Sequence, residues 1–201
     1  MVRHAGPVLL AAVCLGAGGF VGWVLSGWYL PGPTTAREAE LARRCAVGPD
    51  VTLRRWTHVV LHHSATAVGN ARLFDAYHRE TKGWARGLGY HFVIGNGTRS
   101  GDGEIEVGER WIRQQVGAHC AAGGMNRTAI GICFVGNFES DAGPTAAQIE
   151  AGTALIRHVA RQFGIPPDHV IGHREAPGAN TACPGRSFPI QRMRAAAHTA
   201  R

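Results

Sequence analysis

The chain has 201 residues, 45% hydrophobic and 17% charged, with 28 glycines; this suits one loop-rich globular domain plus an appendage and excludes a disordered chain, a coiled coil or two separate enzyme domains. The formal charge is +7, carried by arginine with Lys82 as the one lysine, which fits an anionic partner, yet the basic residues are scattered and the chain does not read as a nucleic-acid binder. Eleven histidines point instead to metal or proton chemistry, because imidazole is a common zinc ligand and titrates near neutral pH.

No charged side chain occurs between Ala5 and Ala36, and Val8 to Leu30 is almost wholly apolar or glycine. As a helix that run spans about 35 Å, enough for a hydrocarbon core of roughly 30 Å. Residues 1–30 therefore read as an N-terminal transmembrane helix, with a cleaved signal peptide as the competing reading. Arg3 on the cytoplasmic side places the rest of the chain in the periplasm or another extracytoplasmic space. Gly18 and Gly22 form a GxxxG spacing, which suits a weak anchor-mediated dimer. Pro31 and Pro33 stop the helix, and residues 31–51 read as a linker with a short helix opened by the capping box Thr35 to Glu38.

From residue 52 to 201 the pattern is that of one α/β domain with a mixed central sheet flanked by helices. Thr57 to His63 reads as a buried strand ending in two histidines. Asn70 caps a helix whose Leu73, Phe74 and Tyr77 share a face. A hairpin follows, from about Tyr90 to Gly95 and back near Glu104 to Gly108, across two glycine-rich turns. Ala129 to Gly136 is a further strand, and the capping box Thr145 to Gln148 opens the longest helix, which Gly164 and Pro166-Pro167 end. Val170 and Ile171 give a last short strand, and Ser187 is placed to cap a terminal helix through Met193.

Three side chains lie just beyond strand ends or in an adjoining loop: His62, His173 and Cys183. Two imidazoles and one thiolate leave tetrahedral zinc one open position, as a hydrolytic site needs. Spacing alone does not separate such a site from ordinary core histidines and cysteines, and His63 rivals His62 as the first ligand. Successive strand residues face opposite sides, so only one of the two can face a metal.

Five segments occur in order: Val60-Leu-His-His-Ser-Ala-Thr66, Gly89-Tyr-His-Phe-Val-Ile94, Gly117-Ala-His119, Asn126-Arg-Thr-Ala-Ile-Gly-Ile132, and Gly172-His-Arg-Glu175 with Thr181-Ala-Cys-Pro-Gly185. In these the chain resembles the type 2 N-acetylmuramoyl-L-alanine amidase domain of bacteriophage lysozyme-amidases and peptidoglycan recognition proteins. The resemblance implies zinc held by His62, His173 and Cys183, and hydrolysis of the amide between N-acetylmuramic acid and L-alanine in peptidoglycan. It implies catalytic roles for Tyr90 and Thr181, and a muropeptide groove lined by His119, Asn126 and His63. Some relatives lack the cysteine ligand and only hold peptidoglycan, so a non-catalytic recognition module is the alternative, against which Cys183 argues. One departure is Cys133, on a strand where other members of the broader family carry a glutamate; no obvious carboxylate base remains. Arg113, Arg127 and Arg174 are candidates for contact with anionic stem peptides. If the domain is exported, Cys45 and Cys120 are the pair best placed for a disulfide.

Overall fold

The computed structural model describes residues 35–140 and 142–198; the expected membrane segment and its GxxxG lie outside them. Among the described residues, no helix is long and apolar enough to cross a membrane. The helices are α1 (Ala36–Arg44), α2 (Ala71–Glu80), the single turns α3 (Glu109–Ile112) and α4 (Met125–Thr128), α5 (Ala146–Phe163) and α6 (Ile190–Ala195). The strands are β1 (His58–His63), β2 (Phe92–Ile94), β3 (Ile105–Val107), β4 (Ala129–Phe134) and β5 (Val170–Gly172).

The five strands form one sheet in the order β3-β2-β4-β1-β5. β1 runs parallel to both β4 and β5, β2 runs parallel to β4, and β3 returns antiparallel to β2 as the expected hairpin. Register pairs Val59 with Ile130 and His62 with Cys133. Strand alternation then sorts the side chains. Val59, Leu61, Ile130, Ile132 and Phe134 face α5 and pack with Leu155, Ile156 and Val159, whereas Val60 packs on the opposite side with Cys120, Met125 and Ala129. His62, two residues beyond Val60, is carried on that second side, at the carboxyl end of β1.

α5 is fixed at both ends by residues that the sequence pattern identified. Thr145 and Gln148 make the full capping box, and the buried Gln148 amide also donates to the carbonyls of Ile94 and Val135. One side chain thus closes the helix and ties it to the ends of β2 and β4. Gly164 ends the helix at φ 65°, a left-handed conformation that a side chain would penalise.

Three expectations are corrected. The α1 segment belongs to the folded body rather than to a linker: Leu41 and Cys45 are buried in the main core, the Trp111 indole donates to the Cys45 carbonyl at 2.9 Å, and Arg37 pairs with Glu150 on α5. Cys45 and Cys120 are both free; they occupy clusters on opposite sides of the sheet, so no disulfide joins them. Ser187 does not cap α6, which begins after Pro189; its hydroxyl donates to the Ser140 carbonyl instead.

Candidate metal centre

β1 and β5 are adjacent and parallel, so their carboxyl ends open at the same edge, where ligands of α/β sheets commonly bind. His62 is the fifth residue of β1, and His173 starts the single turn that follows β5. Cys183 reaches the same edge from the loop beyond. The Arg174 backbone N–H donates to the Cys183 carbonyl at 2.8 Å and its guanidinium to the Gly185 carbonyl at 2.9 Å, so this arginine anchors the ligand loop. Glu175 accepts from the Gly172 N–H and from the Arg194 guanidinium, holding the turn that presents His173.

One donor atom each from His62, His173 and Cys183 lies within 4.8 Å of the others. Cys183 Sγ is 3.7 Å from His62 Nδ1 and accepts from the His63 backbone N–H at 3.4 Å. His63 itself takes no place in this cluster. Its Nδ1 accepts from the Phe138 N–H at 3.2 Å and its ring lies beside Phe138, as alternation along β1 requires.

Burial, then the neighbouring imidazoles His119 and His173, hold His62 well below the usual histidine pKa, and burial lowers His173. Both present neutral rings, the ligating form. Burial pushes the Cys183 thiol up to about 11, so it stays protonated at neutral pH until a cation replaces its proton. The donor set of two neutral imidazoles and one cysteine fits zinc and leaves room for one further ligand.

Tyr90 stands 5.3 Å, ring to ring, from His62. Its phenol is held well above the ordinary value by burial and then by the Cys133 and Cys183 thiols, and so remains a hydrogen-bond donor. Thr181 Oγ1 accepts from the Cys183 N–H at 3.2 Å. A groove of about 490 Å³ opens beside the cluster, with Trp84, His119, Asn126, His173, Asn180 and Thr181 among its walls. Asn126 accepts the N–H groups of both His119 and Cys120 at 2.8 Å, which shapes the wall. None of Arg113, Arg127 and Arg174 lines this groove: Arg113 pairs with Glu109, and Arg127 lies on a separate pocket with Arg54 and Arg55.

Trp84 was not singled out from the sequence; its ring stacks on His78, 4.6 Å away, a contact that a lone Gly83-Trp84 in a loop does not announce. β2 starts only at Phe92, and the rings of Tyr90 and His91, just before it, both neighbour His119. His91 is wholly buried and accepts from the Gly131 N–H at 2.9 Å. Burial lowers its pKa to about 4. The neutral ring is favoured in the fold while the unfolded chain binds a proton near 6.5, so this contribution is complete above pH 6.5 and is lost as pH falls toward 4. Urea unfolding of metal-free protein should show His91→Gln losing about 3 kcal/mol less than wild type between pH 7.5 and 4; parallel losses would show that His91 is not the proton acceptor.

A mixed α/β domain with two imidazoles and a thiol converging at parallel strand ends, beside an open groove, defines a class: α/β domains with a candidate metal site at the carboxyl edge of the sheet. Residues 52–186 match the family model described as N-acetylmuramoyl-L-alanine amidase, and the chain belongs to that family. It is 31% identical over 166 residues to peptidoglycan-recognition protein SC2 of Drosophila melanogaster, covering 78% of this chain and 83% of that protein. Among solved structures it resembles the endolysin N-acetylmuramoyl-L-alanine amidase LysCS from Clostridium intestinale, with TM-score 0.60 and 30% identity over 70% of this chain and 82% of that one. It also resembles peptidoglycan recognition protein-LE, solved in complex with tracheal cytotoxin, a monomeric diaminopimelic acid-type peptidoglycan, with TM-score 0.53 and 28% identity over 69% of this chain and 78% of that one. The family thus includes both hydrolases and recognition proteins.

Proposed function

We propose that the protein is a zinc-dependent N-acetylmuramoyl-L-alanine amidase that cleaves the bond between the muramic lactyl group and L-alanine in peptidoglycan. The observation that carries this reading is the donor set: His62, His173 and Cys183 converge, and His173 is also a wall of the groove. A module that only recognises muropeptides has no need of a buried thiol held beside two neutral imidazoles.

Zinc bound by these three residues would supply Lewis-acid chemistry, polarising the scissile carbonyl and activating water at neutral pH. The protein's own groups do the rest. The groove beside His173 and Thr181 holds the stem peptide along its length and so positions the amide. The Tyr90 phenol, kept neutral by burial, donates to the oxygen on which negative charge develops, an interaction worth roughly a few kcal/mol in a site shielded from water. Thr181 accepts from the Cys183 N–H through its oxygen, which leaves its hydroxyl proton to donate into the groove.

Peptidoglycan lies outside the cytoplasm, and the same reading has the apolar residues 1–30 carry the domain there, as an anchor or a signal segment; membrane fractionation separates the two. The chemistry is tested by incubating purified muropeptide with chelator-treated protein, with and without added zinc, and identifying the products by mass spectrometry. A free stem peptide bearing an L-alanine amino terminus, formed only with zinc, is the expected result. Intact muropeptide retained by zinc-loaded protein would establish the recognition-module alternative.

A further inference from the structure

His119 borders the groove, yet its ring is held from inside the protein. Only 8% of it is exposed, and both ring nitrogens are engaged inside the protein. Nδ1 lies 3.0 Å from His62 Nε2, and Nε2 lies 3.3 Å from the Ala129 carbonyl. The ring fits this place because two glycines make room for it. A Cβ at Gly131, on β4, would come within 2.3 Å of His119 Cδ2, and one at Gly117 within 2.4 Å. The loop that carries His119 is closed by Asn126, whose side chain takes the His119 and Cys120 N–H groups and whose carbonyl takes the Gly117 N–H.

The direction of each bond follows from elimination. A carbonyl can only accept, so His119 Nε2 carries the proton that points at Ala129. Nδ1 of the same neutral ring then has a lone pair and no proton. Facing it at 3.0 Å, His62 Nε2 must donate. That leaves the lone pair of His62 on Nδ1, the atom 3.7 Å from Cys183 Sγ. His91, the next imidazole behind, does not intrude: its Nδ1 accepts from the Gly131 N–H and its Nε2 donates to the Gln115 carbonyl.

From this chain of bonds we infer that His119 is a positioning residue for the metal centre: relayed from the Ala129 carbonyl, it holds His62 as the Nε2–H tautomer and aims the Nδ1 lone pair at the cation. Outer-shell partners that fix a ligand imidazole in this way commonly contribute 10- to 100-fold in metal affinity. The inference rests on the zinc reading, and the test is built so that the two fail separately.

In the full chain, zinc affinity is measured by competition with a chromogenic chelator for wild type, His119→Ala and His119→Asn. The asparagine Oδ1 falls where His119 Nδ1 stands and can accept the His62 proton. His119→Ala should weaken zinc binding by about 10- to 100-fold, and His119→Asn should recover most of that loss. Nitrogen-15 NMR of metal-free wild type should show His62 as the Nε2–H tautomer, with His119→Ala turning it into a mixture. Unchanged zinc affinity in His119→Ala together with a raised KM for muropeptide would overturn the inference in favour of a substrate contact. So would an Nδ1–H tautomer for His62. Wild type that takes up no zinc while His62 shows the Nε2–H tautomer would instead remove the zinc reading and leave the hydrogen-bond relay standing.

Discussion

Cys183→Ser should leave a folded protein that no longer holds zinc firmly and has lost at least about 10³-fold in kcat/KM, equivalent to about 4 kcal/mol of transition-state stabilisation. Serine keeps the size of the side chain and its backbone bond to Arg174, so the loop and the sheet beneath it stay in place. It removes the thiolate, the one anionic donor of the three, and a hydroxyl does not ionise at neutral pH to replace it. The cost therefore falls on metal binding and not on the hydrophobic core, which lies largely between the sheet and α5. Circular dichroism that matches wild type, zinc content near zero after dialysis and loss of stem-peptide release form the expected set. Activity within tenfold of wild type would show that the reaction does not depend on a metal held by Cys183.

Trp111→Ala should have the opposite profile, a large loss of stability with the metal site intact. Trp111 is fully buried, packs against Phe92 and Phe163, and donates its indole N–H to the Cys45 carbonyl. Truncation removes a large ring from a close-packed core, at about 3–5 kcal/mol, and also removes the indole donor to the carbonyl that ends α1. For a domain of this size that lowers Tm by roughly 10 °C. Thermal unfolding of wild type and variant measures the shift, and zinc affinity below the transition should not change. A Tm within about 2 °C of wild type would mean that α1 and its indole contact contribute little to the folded body.

The contrast between these substitutions shows which parts of the molecule were legible in the sequence. Local signals carried far. The capping boxes at Thr35 and Thr145, the cap at Asn70 and the stop at Gly164 act within a few residues, and the structure places each where the pattern put it. The cluster of His62, His173 and Cys183 was legible through ordered motifs and through alternation along β1, which turns His62 toward Cys183 and His63 toward Phe138. Contacts distant along the chain were not. Trp111 meets a carbonyl 66 residues away and His119 meets His62 across 57, and neither leaves a periodic trace. The motif therefore placed His119 on the groove wall, where the structure has it, but gave no sign that its ring also meets His62 behind that wall. Ser187 failed for a related reason: a hydroxyl before a helix looks like a cap, yet Pro189 sets the helix start and the nearby Ser140 carbonyl takes its proton.

X-ray absorption at the zinc edge, on protein loaded with one equivalent of zinc, tests the central claim most directly. The expected first shell holds two imidazole nitrogens, one thiolate sulfur and one exchangeable light atom, the signature of an open site made by His62, His173 and Cys183. A shell without sulfur, or one closed by a fourth protein ligand, would contradict an amidase working through this centre.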